Sequence, residues 1–162
     1  MKRKFILLVA LVALFSTTTV SAQYYDARKV AITEVVDKSK DGNLSIGLKT
    51  FIRSALTNAI NNSEGYQGYD KISFMSLEMN FDRTGNISSA TLIYVQKQEC
   101  QYILISEVTP LTKTLILLSA RIVNTSTGEI VESSSKQAPL DNDYVTLDNI
   151  CKSLAYDLVR AM

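Results

Sequence analysis

The sequence predicts an α/β domain: a mixed five-stranded sheet, built strand-helix-strand-helix and then a three-strand antiparallel meander, with a C-terminal helix packed on it. Three observations carry this. Tyr102–Thr109, Thr114–Asn124 and Glu129–Gln137 are three consecutive segments. The first two are rich in β-branched and aliphatic residues, and short turn-forming stretches separate all three, the pattern of a meander. Leu48, Phe51, Ile52, Ala55, Leu56, Ala59 and Ile60 recur at helical spacing, as do Leu147, Ile150, Cys151, Leu154, Ala155, Leu158 and Val159 near the end. Strands joined by a helical crossover run parallel, and strands joined by tight turns run antiparallel, so this order of elements gives a mixed sheet.

The elements follow in order. Val30–Val36 reads as a β-branched first strand, and Asp37–Asn43 as a polar loop. Asn43 or Ser45 can cap the first helix, and Gly65 sits beyond its end, where a left-handed residue is wanted. Tyr66–Lys71 is a short strand candidate, and Ile72–Phe81 can form a helix that Asp82-Arg83-Thr84-Gly85 ends. Ile87–Cys100 mixes strand-forming residues (Thr91 to Val95) with a helical start at Ser88 and a polar end at Gln96 to Glu99. A crossover is needed before Tyr102, so it is read as helix. Leu115-Ile116-Leu117-Leu118 is apolar at successive positions, which predicts cover on both faces of that strand. Asp141 or Asp143 can cap the last helix. The expected strand order is 2-1-3-4-5.

Residues 1–22 read as an export signal. Lys2-Arg3-Lys4 precede eleven unbroken apolar residues, Phe5 to Phe15, and Val20-Ser21-Ala22 form a small-residue end. Eleven residues are too few for a membrane span, which needs about 20. Cleavage after Ala22 would start the mature chain at Gln23 and place it in the periplasm. An acylated lipoprotein would have Cys there, so no lipid anchor is expected. Residues 23–162, 140 of the 162, then make one domain. Losing three of the 17 cationic residues leaves 14 against 16 acids, with no basic run, which argues against nucleic acid as a partner.

The chain contains no His, which removes Ser-His-Asp and Cys-His mechanisms and imidazole metal sites. It has no dinucleotide fingerprint, phosphate loop or nucleophile elbow. No catalytic residue and no cofactor site is therefore assigned, and the chain reads as a non-enzyme. The sharpest local pattern is Asp37-x-Ser39-x-Asp41-Gly42, which matches the first ligand positions of a calcium loop. Its twelfth position is Leu48 instead of a bidentate Glu, so a polar Asp-rich loop is the simpler reading. Cys100 and Cys151 are the only cysteines, and an exported chain could join them in a disulfide. Cys151 lies on the apolar stripe of the last helix, where a free thiol packs equally well. Tyr24, Tyr25, Tyr66 and Tyr69 could mark a binding surface, or could be ordinary amphipathic edge residues.

Lys29-Val30-Ala31-Ile32, Glu78 to Gly85, Gln101-Tyr102-Ile103-Leu104, Ser119 to Asn124 and Thr127-Gly128-Glu129-Ile130-Val131 resemble successive segments of an envelope domain. It is shared by the curli secretion-channel (CsgG-type) proteins and the penicillin-binding-protein activators (LpoB-type). The resemblance covers nearly all of residues 29–160. It implies a periplasmic α/β domain that works by protein contact, without catalysis or cofactor. Channel members carry insertions that supply membrane-spanning strands, and this chain has no room for them. The leading expectation is an exported interaction module accessory to envelope assembly, secretion or cell-wall synthesis, whose partners are envelope proteins, with self-association into a homo-oligomer also allowed. A small-ligand or calcium-binding periplasmic domain is the alternative, and an oligomeric channel subunit trails both.

Overall fold

The computed structural model describes residues 27–39, 44–69, 87–140 and 144–162. The export signal, Tyr24, Tyr25, Asp41, the expected helix Ile72–Phe81 and the caps Asp141 and Asp143 lie outside the described residues. Within the described residues nine elements follow one another: β1 (Arg28–Ile32), β2 (Val36–Asp37), α1 (Ile46–Asn61), β3 (Tyr66–Tyr69), α2 (Ser89–Lys97), β4 (Tyr102–Pro110), β5 (Leu115–Asn124), β6 (Ile130–Pro139) and α3 (Tyr144–Val159). The sheet order is β3-β1-β4-β5-β6, with the short β2 continuing alongside β4. β1 is parallel to β3 and β4, while β4, β5 and β6 form the antiparallel meander. This is the expected order and direction of strands.

The expected first strand is divided. Ile32 pairs with Leu104, yet Val36 pairs with Glu107, so four steps along the first chain match three along β4. The extra residue is accommodated at Thr33-Glu34-Val35, in the manner of a bulge. Thr33 still donates its amide to Leu104 at 3.1 Å, and Lys38 donates to Val108 at 2.9 Å, so the two halves stay zipped to the same neighbour.

Local signals set the helix starts. Ser45 Oγ accepts the Leu48 amide at 3.1 Å, and Ser88 Oγ accepts the Thr91 amide at 3.2 Å, so both helices begin on a side-chain cap. The ambiguous stretch before β4 is helix, over Ser89–Lys97. α1 approaches β3 closely, because a Cβ on Gly68 would lie 3.1 Å from the Thr57 carbonyl oxygen. Asn61 Oδ1 takes the Gly68 amide at 2.8 Å across the same contact. Between β5 and β6, Gly128 adopts φ +74°, and its amide closes the turn on Asn124 O at 2.8 Å.

Two apolar clusters lie on opposite faces of the sheet. On one face α1 and α3 bury Ile52, Leu56, Ile60, Leu147, Cys151, Leu154 and Leu158 against Ile32, Leu104, Leu118 and Ile122. On the other, α2 contributes Val95 to a smaller cluster with Ala31, Cys100, Ile103, Ile105 and Val123. β4 is therefore covered on both faces, with Ile103, Leu104, Ile105 and Ser106 buried in succession. The sequence suggested that role for β5 instead. There Ile116, Leu118, Ala120 and Ile122 are buried, whereas Leu115 and Leu117 are half-buried and belong to neither cluster. On that face α2, 9 residues long, packs where β4 begins and β5 ends, so Val123 joins its cluster while Leu115 and Leu117 do not.

One core position carries a cost. Ser106 is fully buried opposite Ala120, and its Oγ has no hydrogen-bond partner. Burying an unsatisfied hydroxyl costs about 1–3 kcal/mol. Ser106→Ala should therefore raise stability by about 1 kcal/mol in a denaturant melt. A loss of stability would show that this hydroxyl has a partner.

Candidate interaction surface

Outward from α2, the second face of the meander is polar. The strand registers place Ile105, Arg121 and Ser133 in one row and Glu107, Ser119 and Ser135 in the next. Glu107 is the centre of the charge network. Its Oε1 lies 3.2 Å from Arg121 Nη2 and 3.9 Å from Lys38 Nζ. Ser135 Oγ donates to Ser119 Oγ at 3.1 Å. Ile105, Glu107, Ser119, Arg121, Ser133 and Ser135 line a shallow hollow of about 80 Å³. Two cations flank one carboxylate here, and the Ser135 hydroxyl donates to Ser119. The arrangement offers hydrogen-bond donors and acceptors to a docked surface.

A second hollow, of about 150 Å³, opens where β1 ends and α1 begins, lined by Glu34, Val35, Ile46, Lys49, Thr50 and Arg53. Asp37 stands nearby, at the start of the calcium-like pattern. Its Oδ1 accepts the Ser39 amide at 2.8 Å and its Oδ2 accepts the Leu44 amide at 3.0 Å. Burial pushes this carboxyl up, but hydrogen bonds from Ser39 and Leu44, together with Lys49, outweigh it and hold the pKa below the ordinary carboxylate value. In this arrangement Asp37 fastens the loop that leads into α1, with both oxygens engaged by backbone amides. Among the described residues no group of three acidic or thiol side chains is placed to hold a metal ion.

Cys100 and Cys151 are free thiols, both buried. Cys100 belongs to the α2-side cluster and Cys151 to the α3-side cluster, with the sheet between them. Burial raises the pKa of both thiols, that of Cys151 to about 12 with Asp148 adding to the effect, so neither is a poised nucleophile. Tyr66 and Tyr69 pack against the edges of the two clusters, and Arg28 stacks over the Tyr66 ring at 5.9 Å. These tyrosines are structural edge residues.

The outer strand is tied to α3 through Asp157. Its Oδ2 lies 2.7 Å from Lys136 Nζ and accepts Ser134 Oγ at 3.1 Å. Hydrogen bonding from Lys136 leads the effects that lower its pKa. Sequence reasoning missed Glu107, Arg121 and Lys38 as a group. The signal was present as alternate charged residues on strands of a hairpin, but using it requires the register, which pairs Glu107 with Ser119 and puts Arg121 one row away.

No family model matches the sequence, and no curated protein matches it. Solved structures do match the fold. PelC from Paraburkholderia phytofirmans, a dodecamer, aligns with TM-score 0.54 and 9% identity over 82% of this chain and 87% of its own. The C-terminal domain of LpoB from Salmonella enterica aligns with TM-score 0.52 and 17% identity over 69% of this chain and 82% of its own. Lipoprotein GNA1162 from Neisseria meningitidis aligns with TM-score 0.51 and 13% identity over 83% of this chain and 98% of its own. The chain thus shares the α/β fold of these three proteins, among them the LpoB domain whose type its strand sequences resembled. At these identities the likeness concerns the fold.

Proposed function

We propose that the chain is a non-enzymatic, exported protein-contact domain of the periplasm, accessory to envelope assembly, secretion or cell-wall synthesis. The observation that carries this is the fold shared with PelC, the LpoB C-terminal domain and GNA1162 across most of the chain. The residues agree with it. A sequence without His, two buried thiols and a carboxylate neutralised by two cations supply no acid–base or nucleophilic machinery. The meander instead presents a row of hydroxyls and paired charges suited to docking.

Residues 1–22 supply the route to that compartment. Cell fractionation with mass analysis of the intact chain tests it. The expected result is a periplasmic protein beginning at Gln23. A cytoplasmic protein retaining residues 1–22 would overturn the reading, because the contacts proposed lie in the envelope.

A further inference from the structure

The sheet ends on a long edge. β6 runs from Ile130 to Pro139, and no described strand pairs with its outer side. An uncovered edge is a template for another strand, and chains blunt such edges with Pro, charges or bulges. Here the irregular backbone and the proline lie at the ends, and the charge between them, Lys136, is held by Asp157. A register irregularity lies at Ile130–Glu132, and Pro139 closes the other end. The Leu140 amide points back to Thr114 O, which puts the amides of Ser133, Ser135 and Gln137 on the outward side by alternation. The Ser133 amide is held by the carboxylate of Glu132 at 2.9 Å, and a neighbouring strand could take it over.

We infer that this edge pairs with β6 of a second copy of the chain, antiparallel and about a two-fold axis through Ser134. The side chains argue for that occupant. In this register Ser134 faces Ser134, Ser133 faces Ser135, and Glu132 faces Lys136 of the second copy, twice by symmetry. Ser133 and Ser135 then exchange backbone hydrogen bonds, while Ser134 and the Glu132–Lys136 pairs occupy the closer, non-hydrogen-bonded positions. A shift by one residue would place outward amides opposite inward ones and is excluded. A shift by two would lose both charge pairs.

Lys136 already bonds Asp157 and keeps further donors for a second carboxylate. Glu132, once it releases the Ser133 amide, is free to turn to it. A groove of about 370 Å³ runs beside the same edge, lined by Glu132, Ser133, Ser134, Asp157, Arg160 and Ala161. Its mixed charges are self-complementary, as an interface between identical surfaces requires. The inference adds a partner and a surface to the contact reading and does not depend on which envelope process is served.

The test uses the purified chain. Sedimentation equilibrium should show a concentration-dependent monomer–dimer equilibrium. Ser134→Cys should give a disulfide-linked dimer under mild oxidation, since Cys100 and Cys151 are buried and do not compete. Thr112→Cys, on the exposed β4–β5 loop, should not. Glu132→Lys should weaken dimerisation about tenfold or more by turning both pairs into like charges. Its thermal melt at concentrations dilute enough for the monomer should stay unchanged, because within one chain Glu132 holds only a surface amide. A chain that sediments as a monomer at every concentration, or a Ser134→Cys variant that crosslinks no better than Thr112→Cys, overturns the inference. So does a dimer indifferent to Glu132→Lys. None of these results bears on export or on contact with other envelope proteins.

Discussion

Leu154→Asp is expected to abolish cooperative unfolding. Leu154 is fully buried on the face of α3 that meets the sheet, among Leu147, Cys151 and Leu158. Truncating such a side chain costs about 2–5 kcal/mol, and an unpaired carboxylate in its place adds several more. Total stability for a domain of this size is about 5–15 kcal/mol, so the sum reaches the whole of it. Far-ultraviolet circular dichroism should retain part of the helical signal, and the thermal transition should be broad or missing. A variant that melts sharply at the parent temperature would contradict the docking of α3 on the sheet.

The second large effect separates two neighbours on one strand. Leu118→Ala should cost about 2–5 kcal/mol, because Leu118 is fully buried under α1 and α3. Leu117→Ala should cost less than about 1 kcal/mol, since Leu117 is half-buried on the polar face. Urea denaturation of both variants measures the difference. Equal losses would mean that β5 is covered on both faces after all.

That contrast marks the boundary of what the sequence reveals. Features decided within a few residues were legible. Ser45 and Ser88 announce their helices because an N-cap is a local hydrogen bond, and the apolar stripe of α3 is visible because it repeats every turn. The strand order was legible too, since connection lengths determine which neighbours are parallel. Features decided by what lies across the sheet were not. Four successive apolar residues at Leu115 to Leu118 look like a doubly covered strand, but the α2-side cluster reaches β5 only at Val123. The extra residue at Thr33–Val35 is invisible without the partner strand that reveals the mismatch. The same holds for Cys100 and Cys151, whose separation by the sheet depends on which faces α2 and α3 occupy.

The candidate surface was the least legible part. Ser133-Ser134-Ser135 reads as a bland polar run, yet its alternate members do different work. Ser134 bonds Asp157 on the α3 side, and Ser135 bonds Ser119 on the other. Glu107 and Arg121 are 14 residues apart and become neighbours only through the β4–β5 register. Family resemblance supplied the scaffold, because the segments that carry it are strands and turns. It supplied no contact residues, since those lie on side chains that the scaffold leaves free to vary.

The proposed role is contact with another protein in the envelope. Crosslinking in living cells, followed by purification of the mature chain under denaturing conditions, tests it most directly. A discrete covalent adduct with an envelope protein is expected, lost when Glu107 and Arg121 are both replaced by alanine in a variant that still folds. A folded, exported chain that captures no protein other than itself would contradict it.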